Sequence, residues 1–255
     1  MGVLSASLRL QLQLVRANPD YLMALATTPL FAVIFMSVVR SAGRDDLIPH
    51  AVLAPVLIGL WAMSLFVSGE VISTDRDFEI LETQVAAPAD LAVAITGRVA
   101  AVTLLGLLAF VESWLVALLV FGVAVPVAHP IAFALGMVVS AWAMAATALV
   151  MAAVFVLSRS ARTFQNSLSY PFYVLGGVIV PVSLLPAWMQ PASRVVFLSW
   201  SSDLLRDTLR PGPIGGLGWR LGMIALLGLA GFLVGRWLVA RLLDRVRRTG
   251  TLTFA

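Results

Sequence analysis

Residues 73–91 read STDRDFEILETQVAAPADL, with five carboxylates (Asp75, Asp77, Glu79, Glu82 and Asp90) and Arg76 set between two long apolar stretches. The chain is 60% hydrophobic and 12% charged, so this is the one place where a water-facing partner has something to grip. The apolar flanks decide the fold class. Windows of about 20 apolar residues recur on both sides, the length that a helix needs to cross about 30 Å of hydrocarbon. A mean hydropathy of +0.98 is far more apolar surface than a soluble core can hide. The expectation is an all-α integral membrane protein.

Six spans are predicted outward from the acidic stretch: Tyr21–Val39, Ala51–Ile72, Ile95–Val123, Ile131–Leu157, Leu168–Val182 and Leu217–Leu242. The fifth is short. Met1 to Asp20 lacks the charged start, compact apolar run and small-residue cleavage site of a secretory signal. With the N-terminus inside, eleven arginines fall on the cytoplasmic side and six outside, which predicts that both termini are cytoplasmic. The chain then reads as one transmembrane domain, 1–255, with an interfacial helix over 1–19, a cytoplasmic helix over 74–90, an outer re-entrant segment over 183–210 and a cytoplasmic tail over 243–255.

Composition excludes several classes. All 17 basic residues are arginine and none is lysine, so the P-loop, Schiff-base retinal and pyridoxal chemistries have no lysine to use. There is no cysteine, and His50 and His129 are too few for a histidine-rich metal cage. Glu79 with Glu82 is the one carboxylate pair weighed for a divalent ion; no metal site is expected. The net charge of +4 comes from arginines at span ends, which read as topology markers rather than a nucleic-acid surface. No Rossmann fingerprint, HExxH or nucleophile elbow occurs, so the chain is expected not to be an enzyme.

Within 74–85, Phe78, Leu81 and Val85 recur at helical spacing beside polar Asp75, Arg76, Glu79 and Glu82, and Pro88 closes the segment. Such a helix presses an apolar ridge into a groove on a soluble partner while its carboxylates set the register. A solvated loop is the alternative. In Leu4–Arg16, Leu4, Leu8, Leu12 and Val15 fit a membrane-surface helix, although Leu8–Leu14 also alternates like a strand and a disordered arm stays open. Pro181–Arg210 is too apolar for a free loop and too broken by Pro181, Pro186 and Pro191 for a span. It reads as re-entrant helices or an interfacial segment anchored by Trp188 and Trp200.

Two carboxylates lie inside spans. Glu70 is near the cytoplasmic end of the second, where a structural or coupling role suits it. Glu112 is about 21 Å from Arg98 along the third, well inside hydrocarbon, where a carboxylate is costly and turns to the bundle interior. Gly218 with Gly222, and Gly231 with Gly235, have the four-residue spacing that lets helices approach, and the fourth span carries the small residues Ser140, Ala141, Ala145 and Ala148.

DRDFEILETQVAAPAD (75–90) followed by AITGR (94–98) resembles the coupling region after the second span of ABC-2 type transporter permeases. NPDYLMALATTPLFAVIF (18–35) is similar to the first span of the drug-resistance branch of that family. SYPFYVLGGVIVPVSLLPAWMQPASRVVFLSWSSDLLRDTLR (169–210) is similar to its fifth span and outer re-entrant segment. Arg98 stands where the family often has lysine, and Leu198, Ser199 and Trp200 where it often has a proline bend. The resemblance implies the membrane subunit of an ATP-driven exporter in a bacterial plasma membrane. Two permease chains would pair among membrane lipids, and a separate ABC ATPase would hold ATP and Mg and dock on Asp75, Arg76, Phe78, Glu79, Leu81 and Glu82. Trp61, Phe66, Glu112, Phe172 and Tyr173 would line the path of a lipophilic or amphipathic drug, antibiotic or lipid, with core packing the plain alternative for each aromatic. The competing class is a proton-coupled secondary transporter or channel that uses Glu112.

Overall fold

The computed structural model describes residues 3–17, 23–77, 91–157 and 161–249, and among these it is helical without a strand. In chain order the helices are α1 (Val3–Ala17), α2 (Met23–Ser41), α3 (Ile48–Asp77), α4 (Leu91–Gly106), α5 (Leu108–Leu119) and α6 (Pro130–Leu157). They continue as α7 (Ala161–Leu175), α8 (Gln190–Val195), α9 (Phe197–Leu209) and α10 (Leu217–Thr249), with single 3-10 turns at Asp45–Leu47 and Val182–Leu184. Four stretches are long and apolar enough to cross a membrane: Asp45–Leu65, Gly97–Leu119, Pro130–Val154 and Leu217–Arg241. Leu25–Ser41 is a shorter apolar helix, and α7, at 15 residues, spans only about 22 Å.

Several boundaries differ from the sequence expectation. α3 has no proline after Pro55 and runs past Ile72 to Asp77, so Asp75 and Arg76 belong to its last turn rather than to a separate helix starting at 74. The third span is two helices: Leu107 N–H bonds to Leu104 O at 3.2 Å and Phe110 N–H to Leu107 O at 3.1 Å, a local tightening to three-residue bonds. α10 continues to Thr249, into the stretch expected to be tail. The fifth helix lies seven residues earlier than expected and ends at Leu175, because Gly176 and Gly177 close it. Gly177 has φ +65°, its N–H bonds to Val174 O (3.1 Å), and Val178 N–H bonds to Tyr173 O (3.0 Å), the paired bonds of a Schellman motif. In the outer segment the bend falls at Val196, which is extended at φ −91°, ψ 118°, and needs no proline at 198–200.

α3 is the central helix. Of its span 78% is buried in protein, against 22% for the span of α10. Polar side chains tie α3 to its neighbours: Ser113 Oγ donates to Val52 O (2.7 Å), and Ser64 and Thr103 hydroxyls meet at 2.9 Å. A Cβ on Gly59 would lie 2.8 Å from Thr28 Oγ1, so glycine sets the closeness of α2 and α3. Of the two glycine pairs in the last span, Gly231 and Gly235 pack on the backbone of α6 at Ala146 and Val150, whereas Gly218 and Gly222 face open space.

Candidate functional site

Of the stretch that follows α3, Phe78, Glu79, Leu81, Glu82 and Pro88 lie outside the described residues, and the side chains of Asp75, Arg76 and Glu70 do as well. Close by in sequence, Arg98 is buried rather than displayed. Its Nε donates to Gln11 Oε1 at 3.0 Å across the α1–α4 interface. The period of α1 is therefore helical, but its protein-facing stripe is Ser7, Gln11 and Val15, with Leu8 and Leu12 half-buried beside it.

Three of the five expected pathway residues come together. Trp61 on α3 is 1% exposed and stacks on Phe172 of α7, ring centroids 4.5 Å apart and planes 23° from parallel. Tyr173 is buried next to it in sequence, and Phe197 at the start of α9 adds a third ring 6.4 Å from Trp61. The rings close this region in the present conformation. Phe66 lies on the same helix, with its side chain outside the described residues. Glu112 on α5 is half-buried between exposed Val111 and Leu115, and its Oε2 is buried with no partner. Among the described residues, no ring contact or hydrogen bond joins it to the Trp61 group; α5 instead has its own ring pair, Phe110 tilted 32° against Trp114 with centroids 4.1 Å apart.

The end of the site beyond Leu175 is built from residues to which the sequence reading gave no site role. Irregular backbone at membrane depth must find partners inside the protein. Ser202 Oγ donates to Gly176 O (2.7 Å), Arg206 Nη2 donates to Gly177 O, and His50 Nε2 donates to Ile179 O (2.8 Å). A carbonyl can only accept, so the Nε2 of His50 carries a proton. Ser199, Ser202 and Arg206 recur at helical spacing on α9, and this was the available signal. The guanidinium of Arg206 also meets the C-terminal end of α7, where a helix dipole favours positive charge. Burial pushes the pKa of Arg206 down, while Asp203 and Asp207 act in the opposite sense. Around it run the pairs Arg194–Asp203 (3.2 Å), Arg206–Asp203 (3.5 Å) and Arg220–Asp207. Arg210 Nη2 donates to Asp46 O at 3.3 Å, and Arg44 beside Asp46 holds that exposed carboxyl below its usual range. These bonds make α8 and α9 a cap over the C-terminal end of α7 and the N-terminal end of α3. Among the described residues, no three histidine, aspartate or glutamate side chains converge as a metal site would require.

The chain matches the family of the ABC-2 type transporter over residues 3–209, from the start of α1 to the end of α9. No curated protein matches it.

Proposed function

From the premise that this chain belongs to the ABC-2 type transporter family, we propose that it is the permease subunit of an ATP-driven exporter moving a lipophilic or amphipathic molecule outward. The single observation that carries the reading is a family match that runs in one stretch from α1 to the end of α9 and leaves only α10 and the turn before it outside. In this reading the chain crosses a bacterial plasma membrane six times with both termini inside and pairs with a second permease chain. Its ATPase partner supplies ATP and Mg chemistry and docks on the stretch that follows α3. The aromatic group of Trp61, Phe172 and Tyr173 supports an apolar pathway between the second and fifth spans.

The test is to purify the chain alone and together with a candidate ABC ATPase. The chain alone is expected to hydrolyse no ATP, since no lysine exists to hold the phosphates. The pair is expected to do so and to export. Turnover by the chain alone would overturn the assignment.

Topology is checked on a background free of cysteine. Cysteines at Asp45 and Trp188, both exposed, are expected to react with an impermeant maleimide on intact cells, and one at Glu79 only after permeabilisation. Labelling of position 79 from outside would reverse the topology.

Proton coupling is the second reading, favoured by the unpartnered Glu112 Oε2. It requires Glu112→Gln to abolish transport without an ATPase present, whereas the exporter reading expects ATP dependence to persist in that variant.

A further inference from the structure

Three polar atoms at the centre of the bundle are buried without a hydrogen-bond partner: Trp61 Nε1 on α3, Ser140 Oγ on α6 and Ser201 Oγ on α9. All three residues are at most 1% exposed. An unpaired polar group in such surroundings is costly, and native cores rarely keep one without a partner in some state.

The packing places the three helical turns that carry them at one level. A Cβ on Gly136 would lie 3.1 Å from Leu205 Cδ2, so Gly136 of α6 faces Leu205 of α9. His129 N–H bonds to Thr208 O at 3.0 Å, which makes the two helices antiparallel. Ser140 and Ser201 are each one turn inward from the Gly136–Leu205 contact, on the same faces. For α3, the Ser64–Thr103 hydroxyl contact fixes depth, because Thr103 lines one groove with Ala141 and Ala145 of α6. The turn of α3 that carries Trp61 is therefore level with Ser140, and the Trp61–Phe197 contact brings the start of α9 to the same level.

We infer that Trp61 Nε1, Ser140 Oγ and Ser201 Oγ form a polar subsite for one uncharged hydrogen-bond acceptor on an otherwise aromatic, lipophilic cargo. The inference rests on the exporter reading and narrows its substrate class. The indole N–H donates, the two hydroxyls donate or accept, and no ionised side chain is among the three, so a carbonyl or hydroxyl suits the site and a charge does not. Phe172 and Phe197 occupy the indole's surroundings in the closed conformation. A planar ring takes their place against Trp61 when α7 and α9 move away from α3.

The experiment uses the full chain in nanodiscs without its ATPase. Benzophenone, an uncharged aromatic ketone, is photo-crosslinked, and adducts are mapped by peptide mass spectrometry. The competitors are fluorenone and fluorene, matched in shape, of which only fluorenone carries an acceptor. Adducts are expected on the segments of Trp61, Phe172 and Phe197, with fluorenone competing at about tenfold lower concentration than fluorene, as one buried hydrogen bond implies. Ser140→Ala with Ser201→Ala should abolish that preference, and Trp61→Phe, which keeps a ring, should reduce it. Equal competition, a preference unchanged in the serine pair variant, or adducts spread over the lipid-facing residues would each overturn the subsite and leave the atoms to a bound water. None of these results bears on ATPase association, whose loss would instead overturn the exporter reading.

Discussion

Arg206→Ala is expected to lower the stability of the purified chain by about 2–3 kcal/mol, the cost of leaving a buried carbonyl unsatisfied together with the loss of a partly buried ion pair. Arg206 is 7% exposed, donates to Gly177 O and lies 3.5 Å from Asp203. Alanine leaves the Gly177 carbonyl unsatisfied at the end of a helix already terminated by two glycines, and leaves Asp203 with the exposed Arg194 alone. Arg206→Lys is expected to recover part of the loss, because an ammonium is a point charge and cannot reproduce the planar fork that serves carbonyl and carboxylate together. Arg194→Ala, which removes a half-exposed partner, should cost about 1 kcal/mol or less. Denaturant unfolding in one detergent, followed by near-ultraviolet circular dichroism, checks all three. An Arg206→Ala variant within 1 kcal/mol of wild type would mean that the cap is held by apolar packing instead.

The second large effect is expected at Phe78. If docking depends on an apolar ridge, an anchor of this kind contributes about 2 kcal/mol or more, so Phe78→Ala should weaken ATPase association about thirtyfold. Glu82→Ala removes a rim charge and should cost about 1 kcal/mol or less. The structure adds a reason to expect transport to follow association. Phe78 comes directly after Asp77, the last residue of α3, and α3 is one continuous helix from there to Trp61, about 24 Å away. Movement at the Asp77 end is therefore carried to the aromatic junction by a single continuous helix. Pull-down of the ATPase at equal permease expression is the measurement. Wild-type retention by both Phe78→Ala and a Phe78, Leu81 double alanine variant would identify the stretch as a solvated loop.

Membrane class, the apolar helices and their order were legible because hydropathy is summed along the chain and needs no knowledge of neighbours. That 183–210 is neither a free loop nor one unbroken span was legible for the same reason, since its prolines and aromatics are local signals. The pairing of Trp61 with Phe172 was expected only as shared membership of a pathway, and their stacking became visible once α7 was placed against α3. The register of the fifth helix was missed. Its hydropathy favoured the apolar residues after Leu168, while the glycine pair at 176–177 ended the helix and the polar start at Ala161–Asn166 was absorbed into it.

Hydropathy along the chain identifies the residues that avoid water. Which of them are covered by protein and which stay exposed follows only from the packing of the helices. Gly218–Gly222 and Gly231–Gly235 have identical spacing on one helix, yet only the second pair meets α6. Trp61 and Trp237 are alike in sequence terms, yet the first is 1% exposed and the second 55%. In water, a buried face is marked by apolar residues opposite polar ones; in a bilayer both faces are apolar, so periodicity loses its contrast. The polar partners that hold the fold were hidden for a related reason. Ser202, Arg206 and His50 bind the carbonyls of Gly176, Gly177 and Ile179, at separations of 26, 29 and 129 residues. Only the packed bundle brings such distant groups together, and hydrocarbon offers those carbonyls no other donor.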